Sequence, residues 1–441
     1  MQRTVAVIGA GAGGLAAGRE LLQEGHRISI FELGSTVGGT WNYTEDREED
    51  LLGRHHVYGE GRLHSSMYEG LRTNLPREIM GYSTLPFVPG FPGSQDPRQF
   101  PGHTEVEAYL QAYAAHAGLA EHILFGTQVL SVEDHGEGES WTVTYRKLEE
   151  PGSKFTKEFD AVVVCNGHYS EPHIPDLPGL ASFPGRIEHS HNYRRPEEYR
   201  GQKVVLLGAA SSGIDISYEL EGIAAEVYLS ARSFQDPLTG KPLNLQTSED
   251  GIHRCSAIVA LGSDGAVHLA DGTVLHSIDT IIFCTGYNFS FPFLDSKYVA
   301  TDQGSRVRPL YQHTFPPRLA PRLSFLGLCI KIVPMPQEME GEVAALYKQL
   351  EAAGADPRHT HRCSGDQQWE LNAFFNAAAQ APAAFEWRKA LYAVNGEHRR
   401  KYSDSYRDRP LEDGCDWAAA AQREKAATLD WEREGRPPVK Q

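Results

Sequence analysis

The sequence has no closely spaced cysteines, no long apolar run and no excess of positive charge. Its six cysteines are at least 29 residues apart, so it contains no CxxC pair of the kind that binds metals or cycles between thiol and disulfide. The apolar stretch from Leu323 to Val333 is short and is interrupted by Lys331, whereas a membrane-spanning helix needs about 18 or more apolar residues. The 42 basic and 58 acidic side chains give a net charge of −16, and nothing in the chain concentrates positive charge as nucleic-acid binding requires.

These absences exclude a disulfide-stapled secreted protein, a nucleic-acid-binding protein and a protein with a membrane span. The first strand follows Met1 within a few residues, which leaves no room for a signal peptide. We therefore expect a cytoplasmic protein. Its 441 residues, 40% of them hydrophobic, suit two or three domains with sizeable cores.

A strand, a glycine-rich turn and a helix follow one another at the N-terminus. The apolar run Val5–Ile8 is typical of a buried parallel strand, and it leads into the turn Gly9-Ala10-Gly11-Ala12-Gly13-Gly14. We predict an amphipathic helix from there to about Glu24 and a second strand over His26–Phe31. In a GxGxxG turn the glycines permit tight bending and let the backbone approach a pyrophosphate at the positive end of the helix.

The second strand ends at Glu32, 18 residues past Gly14, where an acid can accept hydrogen bonds from a ribose hydroxyl. A bare GxGxxG is also compatible with a simple glycine-rich turn. The strand, the helix and the acid together favour a dinucleotide site.

The same order of elements returns later in the chain. Lys203–Leu207 is predicted as a strand, a helix is predicted over Ile214–Ile223 and a further strand over Ala225–Ser230, and the intervening turn is Gly208-Ala209-Ala210-Ser211-Ser212-Gly213. Ala210 stands in the place of the second glycine, and its methyl group is expected to hold this turn slightly farther from a phosphate. A βαβ unit without a ligand is the alternative here.

The ends of the two second strands differ in charge. Glu32 repels a ribose 2′-phosphate, whereas Arg232 attracts one and Ser230 can add a hydrogen bond. The first site is therefore expected to hold a cofactor with a free 2′-hydroxyl and the second to hold NADPH. Two dinucleotides in one chain imply hydride transfer between them, which indicates a redox enzyme.

The remaining elements predict how the domains are connected. Gln128–Val132, Trp141–Lys147 and Phe159–Val164 are typical of a meander. Strands that end at Asn166-Gly167 and at Thr285-Gly286 suit crossings between domains. The predicted fold is α/β with two Rossmann-like dinucleotide-binding domains, the second inserted into the first, divided into residues 1–171, 172–280 and 281–441. The chain from Gln367 onward is expected to be helical, including Phe385–Tyr392, and to be frayed past Trp417.

One segment carries a family fingerprint. Phe183, Gly185, His189 and Tyr193 resemble the FxGxxxHxxx(Y/F) pattern of flavin-containing monooxygenases. In the related Baeyer–Villiger enzymes the last position is usually Trp, so Tyr193 favours the branch that oxygenates sulfur or nitrogen. Gly38-Gly-Thr-Trp41 resembles the flavin-contacting GGxW of this family, and Leu71-Arg-Thr-Asn74-Leu-Pro-Arg77 resembles its LxTNxP block.

The resemblance extends over nearly the whole chain and is strongest to the plant-type branch. Cys165-Asn-Gly-His-Tyr169 and Ser405-Tyr-Arg-Asp408 are similar to that branch, which includes enzymes that S-oxygenate thioethers such as those of methylthioalkyl glucosinolates. The chain departs from the family at Ala210, and at Met339 and Gly341, where the family has Glu and Gln.

The resemblance implies that NADPH reduces FAD, that oxygen then reacts with the reduced flavin, and that a small soft nucleophile receives an oxygen atom, most readily at sulfur. It places Asn74 beside the reacting part of the flavin, although a turn asparagine before Pro76 is the alternative. It assigns Trp41 to the flavin and His189 to the link between domains. N-hydroxylation, Baeyer–Villiger oxidation and a non-catalytic flavoprotein are the alternative functions, while the cysteine spacing excludes the usual flavin disulfide reductases.

No metal site is expected. His359, His361 and Cys363 are closely spaced, but no second ligand pair lies nearby in the sequence, so a solvated loop is the better interpretation. The same holds for His55 and His56.

Overall fold

The computed structural model describes residues 2–54, 65–136, 140–234, 251–328, 331–332, 362–363, 369, 386–402, 405–411 and 413–433. The α-helices in this part of the chain are α1 (Ala12–Gln23), α2 (Arg77–Met80), α3 (His103–His116), α4 (Ser211–Leu220), α5 (Glu386–Tyr402) and α6 (Trp417–Arg433). The strands are β1 (Thr4–Ile8), β2 (Arg27–Phe31), β3 (Ile123–Leu124), β4 (Thr127–Asp134), β5 (Trp141–Lys147), β6 (Phe155–Phe159), β7 (Ala161–Val164), β8 (Arg186–His189), β9 (Lys203–Leu207), β10 (Glu226–Ser230), β11 (Ile252–Cys255), β12 (Ile258–Leu261), β13 (Val267–Leu269), β14 (Val274–Leu275), β15 (Thr280–Phe283), β16 (Leu323–Phe325), β17 (Lys331–Ile332) and β18 (Arg362–Cys363).

The first parallel sheet has the strand order β16-β7-β1-β2-β3. Its central strand β1 is buried over Val5–Ile8, as expected for an apolar run covered on both faces. The chain leaves β1 through α1 to β2 on one side, while β7 pairs with β1 on the other side. This reversal of strand order opens a crevice at the carboxyl end of β1, where open α/β sheets bind ligands.

The second parallel sheet repeats this arrangement. Its order is β11-β10-β9-β15-β8, with β9 joined through α4 to β10 on one side and paired with β15 on the other. Both predicted βαβ units are present, and α4 begins at Ser211, three residues before the predicted start. The predicted α/β class with two Rossmann-like folds is confirmed.

The path of the chain shows how the two sheets are connected. Every strand of the second sheet lies between Arg186 and Phe283, whereas the first sheet contains strands on both sides of this interval. The second fold is therefore an insertion in the first. The predicted limits at 171/172 and 280/281 stay predictions; a division at 280 would separate Thr280 from the rest of β15, which pairs on both sides within the second sheet.

One strand lies in a different sheet from the one predicted. The meander is formed by β4, β5 and β6, so its third strand is Phe155–Phe159, and the prediction that Phe159–Val164 belongs to the meander is wrong. Ala161–Val164 joins the first parallel sheet instead. The chain changes sheet at Asp160, whose carboxylate accepts hydrogen bonds from the backbone N–H and the hydroxyl of Thr4 at 2.6 and 2.8 Å. These bonds hold the start of β7 beside β1.

The prediction of a frayed end past Trp417 is also wrong. Helix α6 continues to Arg433, and two ion pairs dock the C-terminal helices. Arg19 of α1 contacts Glu432 at 2.7 Å, with both side chains 9% exposed. Arg388 of α5 contacts Glu424 of α6 at 2.7 Å and donates to the carbonyl oxygen of Ile79 at 2.8 Å. Tertiary contacts thus order a helix whose sequence is polar.

Candidate active site

The two glycine turns have the same backbone geometry. Gly9 and Gly208 have φ angles of 104° and 115°, in the region that favours glycine. A Cβ atom on Gly9 would lie 2.5 Å from the carbonyl oxygen of Cys165, which follows β7, and one on Gly208 would lie 2.5 Å from that of Cys284, which follows β15. The first glycine of each turn thus lets the chain pass close to the neighbouring strand end.

The last glycine of each turn is required for a second reason. A Cβ atom on Gly14 would lie 1.8 Å from the carbonyl oxygen of Gly9, and one on Gly213 would lie 1.8 Å from that of Gly208. Such distances are far inside van der Waals contact. Each turn therefore requires glycine at both ends to bring the helix N-terminus against the strand.

The middle position is the one that differs. Gly11 precedes α1 with φ −74° and ψ −172°, and Ala210 precedes α4 with φ −90° and ψ −168°. Both are extended conformations that alanine adopts without strain. Ala210 is exposed, so its methyl group changes the space in front of α4 and leaves the turn intact.

A cleft opens in front of the first turn. Its volume is about 1090 Å³ when the open mouth is included. Its walls come from the ends of β1, β2 and β7, and they include Gly9, Gly11, Ala12, Gly13, Glu32, Gly38, Gly39, Trp41, Gln128, Asn166, His168, Tyr169 and Gly327.

The floor of the cleft consists of backbone. Gly11 and Gly39 face each other, and a Cβ atom on Gly39 would lie 3.0 Å from Gly11 Cα. At these two positions only backbone faces the N-terminus of α1, where a pyrophosphate would approach. The residues present therefore fit a bound dinucleotide.

Glu32 lies at the edge of this cleft and is 7% exposed. Its carboxylate accepts hydrogen bonds from the backbone N–H groups of Ala10 at 2.6 Å and Gly34 at 2.7 Å. These bonds join the end of β2 to the glycine turn. The structure thus places Glu32 at the edge of the cleft, and its contact with a ribose stays a prediction.

His168 is a cleft residue that the sequence did not single out as a ligand contact. Both of its ring nitrogens are buried, and neither forms a well-aligned hydrogen bond with the described residues, although the backbone of Gly327 lies close enough to oppose the effect of burial on its pKa. Burial lowers the pKa of His168 to about 4, so the ring is neutral at pH 7. It lines the same cleft as Trp41 and can donate or accept one hydrogen bond to a ligand. Its place just after a parallel strand end was the available signal.

The residues predicted for the second cofactor surround the second turn. Ala209 packs against the core of this fold, while Ser211 and Ser212 begin α4 with at least partly exposed side chains. Ser230 is fully buried, and its hydroxyl donates to the carbonyl oxygen of Ser256 at 2.8 Å. Arg232 is exposed two residues past β10. Their contacts with NADPH stay predictions.

Two of the four fingerprint residues precede β8, one is the last residue of β8 and one follows it. Phe183 is buried in the core beside the second sheet, and a Cβ atom on Gly185 would lie 2.7 Å from the carbonyl oxygen of Asp279. His189 is fully buried, its Nε2 lies 3.0 Å from the carbonyl oxygen of Gly286, and its Nδ1 accepts from the N–H of His191. Burial lowers the pKa of His189 to about 3, so a neutral ring ties β8 to the chain crossing after β15.

Tyr193 is the fourth of these residues and is fully buried. Its hydroxyl donates to Glu219 Oε2 of α4 at 2.8 Å. Burial raises the pKa of Glu219 to about 7, the Tyr193 hydrogen bond opposes this rise, and the nearby Asp215 adds to it. Tyr193 therefore donates a hydrogen bond to a carboxyl group that is partly protonated near neutral pH.

Glu219→Gln is expected to become relatively more stable than the parent protein as the pH rises. The unfolded carboxyl loses its proton near pH 4.5 and the folded one near pH 7. The folded state binds more protons in this window, so the unfolding free energy of the parent protein falls as the pH increases through it. Urea unfolding at pH 5 and pH 8 should show a relative gain for the variant of up to about 3 kcal/mol. Glu158→Gln, at an exposed position in β6, is the control; an equal pH dependence in both variants would contradict the assignment.

Asn74 lies between α2 and the C-terminal region. It is half-buried, and its backbone carbonyl oxygen accepts a hydrogen bond from the buried side chain of Asn395 in α5 at 3.3 Å. The preceding residue, Thr73, is held by Arg407, which donates to its carbonyl oxygen at 3.0 Å. Asn74 is absent from the residues that line the cleft at the first turn, and its catalytic role stays a prediction.

The described residues can also be compared with the expectations about metal sites and membrane-spanning helices. In the described part of the chain, no group of three or more His, Cys, Asp or Glu side chains is arranged to hold a metal ion. Among the same residues, no helix has the length and apolar character that crossing a membrane requires. His55, His56, His359, His361, Met339 and Gly341 lie outside the described residues, as do the side-chain surroundings of Cys363.

The two similar folds and the cleft are features of a dinucleotide-dependent oxidoreductase, and comparison with known proteins gives its family. The chain belongs to the flavin-binding monooxygenase-like family, whose model matches residues 2–236 and 252–341. The predicted family, the enzyme class of flavin-dependent monooxygenase and the cofactors FAD and NADPH are thereby confirmed.

Individual relatives match nearly the whole chain. The flavin-containing monooxygenase FMO GS-OX-like 2 of Arabidopsis thaliana is 39% identical over 433 residues, which cover 92% of this chain and 91% of that protein. FMO GS-OX5 of the same plant is 40% identical, with 92% and 91% covered. Among solved structures, S-allyl-L-cysteine S-oxygenase from Allium sativum is 38% identical, covers 98% of this chain and 99% of its own, and has a TM-score of 0.83.

Proposed function

We propose that this monooxygenase S-oxygenates a small thioether, converting a sulfide into a sulfoxide. The observation that carries the proposal is the similarity to the Allium sativum S-oxygenase, which extends over both chains at 38% identity. Tyr193 supports it, because the fingerprint residue at this position favours the sulfur- or nitrogen-oxygenating branch over the Baeyer–Villiger branch.

The chain provides separate places for the two cofactors. We assign FAD to the first cleft, with its pyrophosphate at the N-terminus of α1, its ribose beside Glu32 and its ring system near Trp41 and His168. We assign NADPH to the second turn, with phosphates at the N-terminus of α4 near Ser211 and Ser212. When bound, the flavin accepts electrons from NADPH and activates molecular oxygen.

The protein residues orient these groups and keep water away from them. A thioether sulfur is itself a nucleophile, so the substrate needs no general base, and the proposed work of the site is positioning and desolvation. Asn74 is proposed to donate a hydrogen bond from its side-chain amide to the reacting oxygen or to NADP⁺. His189, tied to Gly286, is proposed to hold the crossing between the folds and to make no contact with substrate.

A substrate panel tests the proposal directly. Purified protein loaded with FAD should consume NADPH and oxygen and convert S-alkyl cysteines or other small thioethers into sulfoxides, detected by mass spectrometry as the gain of one oxygen atom. Tertiary amines and cyclic ketones, run in parallel, represent N-oxygenation and Baeyer–Villiger oxidation. Preference for an amine or a ketone, measured by kcat/KM, would overturn the assignment to sulfur.

Arg232→Ala should weaken the use of NADPH far more than the use of NADH. Hydrogen bonds to charged groups contribute about 1.5–3 kcal/mol, so loss of the guanidinium should raise the KM for NADPH about 10- to 100-fold, at about tenfold per 1.4 kcal/mol. The KM for NADH should change little, because NADH has no 2′-phosphate. Arg200→Ala is the matched control, since Arg200 is exposed before the start of β9, at the opposite end of this strand from Gly208. An unchanged ratio of the two KM values in Arg232→Ala would contradict the assignment.

We further propose that the protein works in the cytoplasm. Cys165, Cys255 and Cys284 are buried as separate thiols, as is common in reducing compartments.

The proposed partners of this protein are a small nucleophilic substrate and molecular oxygen.

A further inference from the structure

The segment Ser405–Asp408 contacts both the Asn74 turn and the second nucleotide-binding fold. Arg407 donates from Nε to the carbonyl oxygen of Thr73 at 3.0 Å. Its two terminal nitrogens donate to the two carboxylate oxygens of Asp215, at 3.1 and 2.7 Å. One guanidinium thus joins the residue before Asn74 to helix α4, which begins at the second glycine turn.

The neighbouring contacts reinforce this junction. Arg72 donates to the carbonyl oxygen of Arg407 at 2.7 Å and pairs with Asp408. Each arginine therefore binds the backbone of the other segment. Tyr68 donates from its hydroxyl to Asp215 Oδ2 at 3.2 Å. The Arg407 and Asp215 side chains are 17% and 18% exposed, so solvent and salt screen this pair less than they screen an exposed ion pair.

We propose that Arg407 is a positioning residue, which sets the place of Asn74 relative to the NADPH-binding fold by bridging the carbonyl oxygen of Thr73 and the carboxylate of Asp215. The inference rests on the proposed function, because it is through Asn74 that the bridge affects the reaction. Arg407 itself has no assigned contact with a cofactor.

The shape of the guanidinium is essential to the proposal. Its planar fork donates to a carboxylate through two parallel hydrogen bonds while Nε remains available for a third acceptor. A lysine ammonium keeps the charge near Asp215 but lacks the fork. Arg407→Lys therefore separates a requirement for geometry from a requirement for charge alone.

The test compares Arg407→Lys and Arg407→Ala with the parent holoenzyme. Both variants should keep their flavin content and oxidise NADPH at a rate near that of the parent, but the sulfoxide formed per NADPH should fall about 10- to 100-fold, as expected for a displaced catalytic group. Hydrogen peroxide should account for the difference. Parent-like yield in Arg407→Lys would show that charge alone matters and would overturn the proposal.

Amide hydrogen exchange provides a measurement independent of turnover. The N–H of Thr73 is hydrogen-bonded to the carbonyl oxygen of Pro101 at 2.9 Å, and it should exchange faster in both variants, with and without NADP⁺. Arg433→Ala is the matched control, because Arg433 forms an exposed ion pair with Asp430 in α6, with side chains 74% and 62% exposed. Exchange at Thr73 that is unchanged in Arg407→Ala would also refute the bridge.

A double-mutant cycle links the effect to Asp215. Asp215→Asn should lower the yield in the same direction, and combining it with Arg407→Ala should add little, because both changes remove one interaction. Additive losses would contradict a shared bridge. If the parent enzyme formed no sulfoxide from any thioether while hydrogen exchange still responded as expected, the proposed substrate would be wrong and the bridge would stand.

Discussion

Gly14→Ala is expected to abolish flavin binding, and Gly213→Ala is expected to abolish NADPH binding while flavin remains bound. In each variant the new Cβ atom would lie 1.8 Å from the carbonyl oxygen of the first glycine of the same turn. That oxygen belongs to the backbone and cannot rotate away as a side chain can. The turn must open, and the helix N-terminus then moves out of reach of the phosphates.

Measuring both cofactors in both variants distinguishes the local loss of one site from general unfolding. Flavin content, measured as the visible absorbance of oxidised flavin per mole of protein, should fall in Gly14→Ala and remain in Gly213→Ala. Titration with NADP⁺ should show the loss of binding in Gly213→Ala. Gly152→Ala is the control, since no atom lies within 4 Å of its added Cβ and its φ is outside the positive region.

Three outcomes would contradict the predictions for Gly14→Ala and Gly213→Ala. Flavin bound at full occupancy by Gly14→Ala would refute the assignment of FAD to the first turn. Tight NADP⁺ binding by Gly213→Ala would refute the assignment of NADPH to the second. Loss of both cofactors from both variants, with normal far-ultraviolet circular dichroism, would contradict their separate sites.

Asn74→Ala should retain flavin and NADPH oxidation but lose product formation. Removal of one preorganised amide donor from an active site typically costs about 100- to 1,000-fold in rate. Reduction of the flavin does not need that donor, so NADPH consumption should continue and release hydrogen peroxide. The measurement is sulfoxide formed per NADPH consumed, together with peroxide.

Asn74→Asp tests whether Asn74 acts only as a turn residue. Aspartate serves in turns as asparagine does, but an ionised carboxylate has no hydrogen to donate. A donor role predicts that Asn74→Asp fails like Asn74→Ala. Normal product yield in Asn74→Asp would support the turn interpretation, and normal yield in Asn74→Ala would remove Asn74 from the mechanism.

Residues far from Asn74 in the sequence hold its turn in place. Asn74 is held through the backbone by Asn395 of α5, and its neighbour Thr73 by Arg407. The fingerprint residue Tyr193 supports the same helix α4 through Glu219. The structure therefore connects the turn of Asn74 to the C-terminal region through Asn395 and Arg407, and Arg407 in turn connects it to the second nucleotide-binding fold through Asp215.

The sequence by itself determined the two βαβ units, their glycine positions and the opposite charges at Glu32 and Arg232. These features are readable because the sterics of a turn and the pattern of a buried strand act over a few neighbouring residues. The same local logic located β1 and β9, and the glycine contacts in the structure explain why Gly14 and Gly213 recur.

Only the tertiary structure decided which distant groups meet. Asp160 directs β7 to the parallel sheet by binding Thr4, 156 residues away in the sequence, and Glu432 docks the polar helix α6 on Arg19 across 413 residues. Arg407 reaches Thr73 across 334 residues and Asp215 across 192. No local spacing encodes such pairs in a single sequence, because they form only when the fold brings distant segments together. The buried pairs among them are then removed from water and have each other as hydrogen-bond partners.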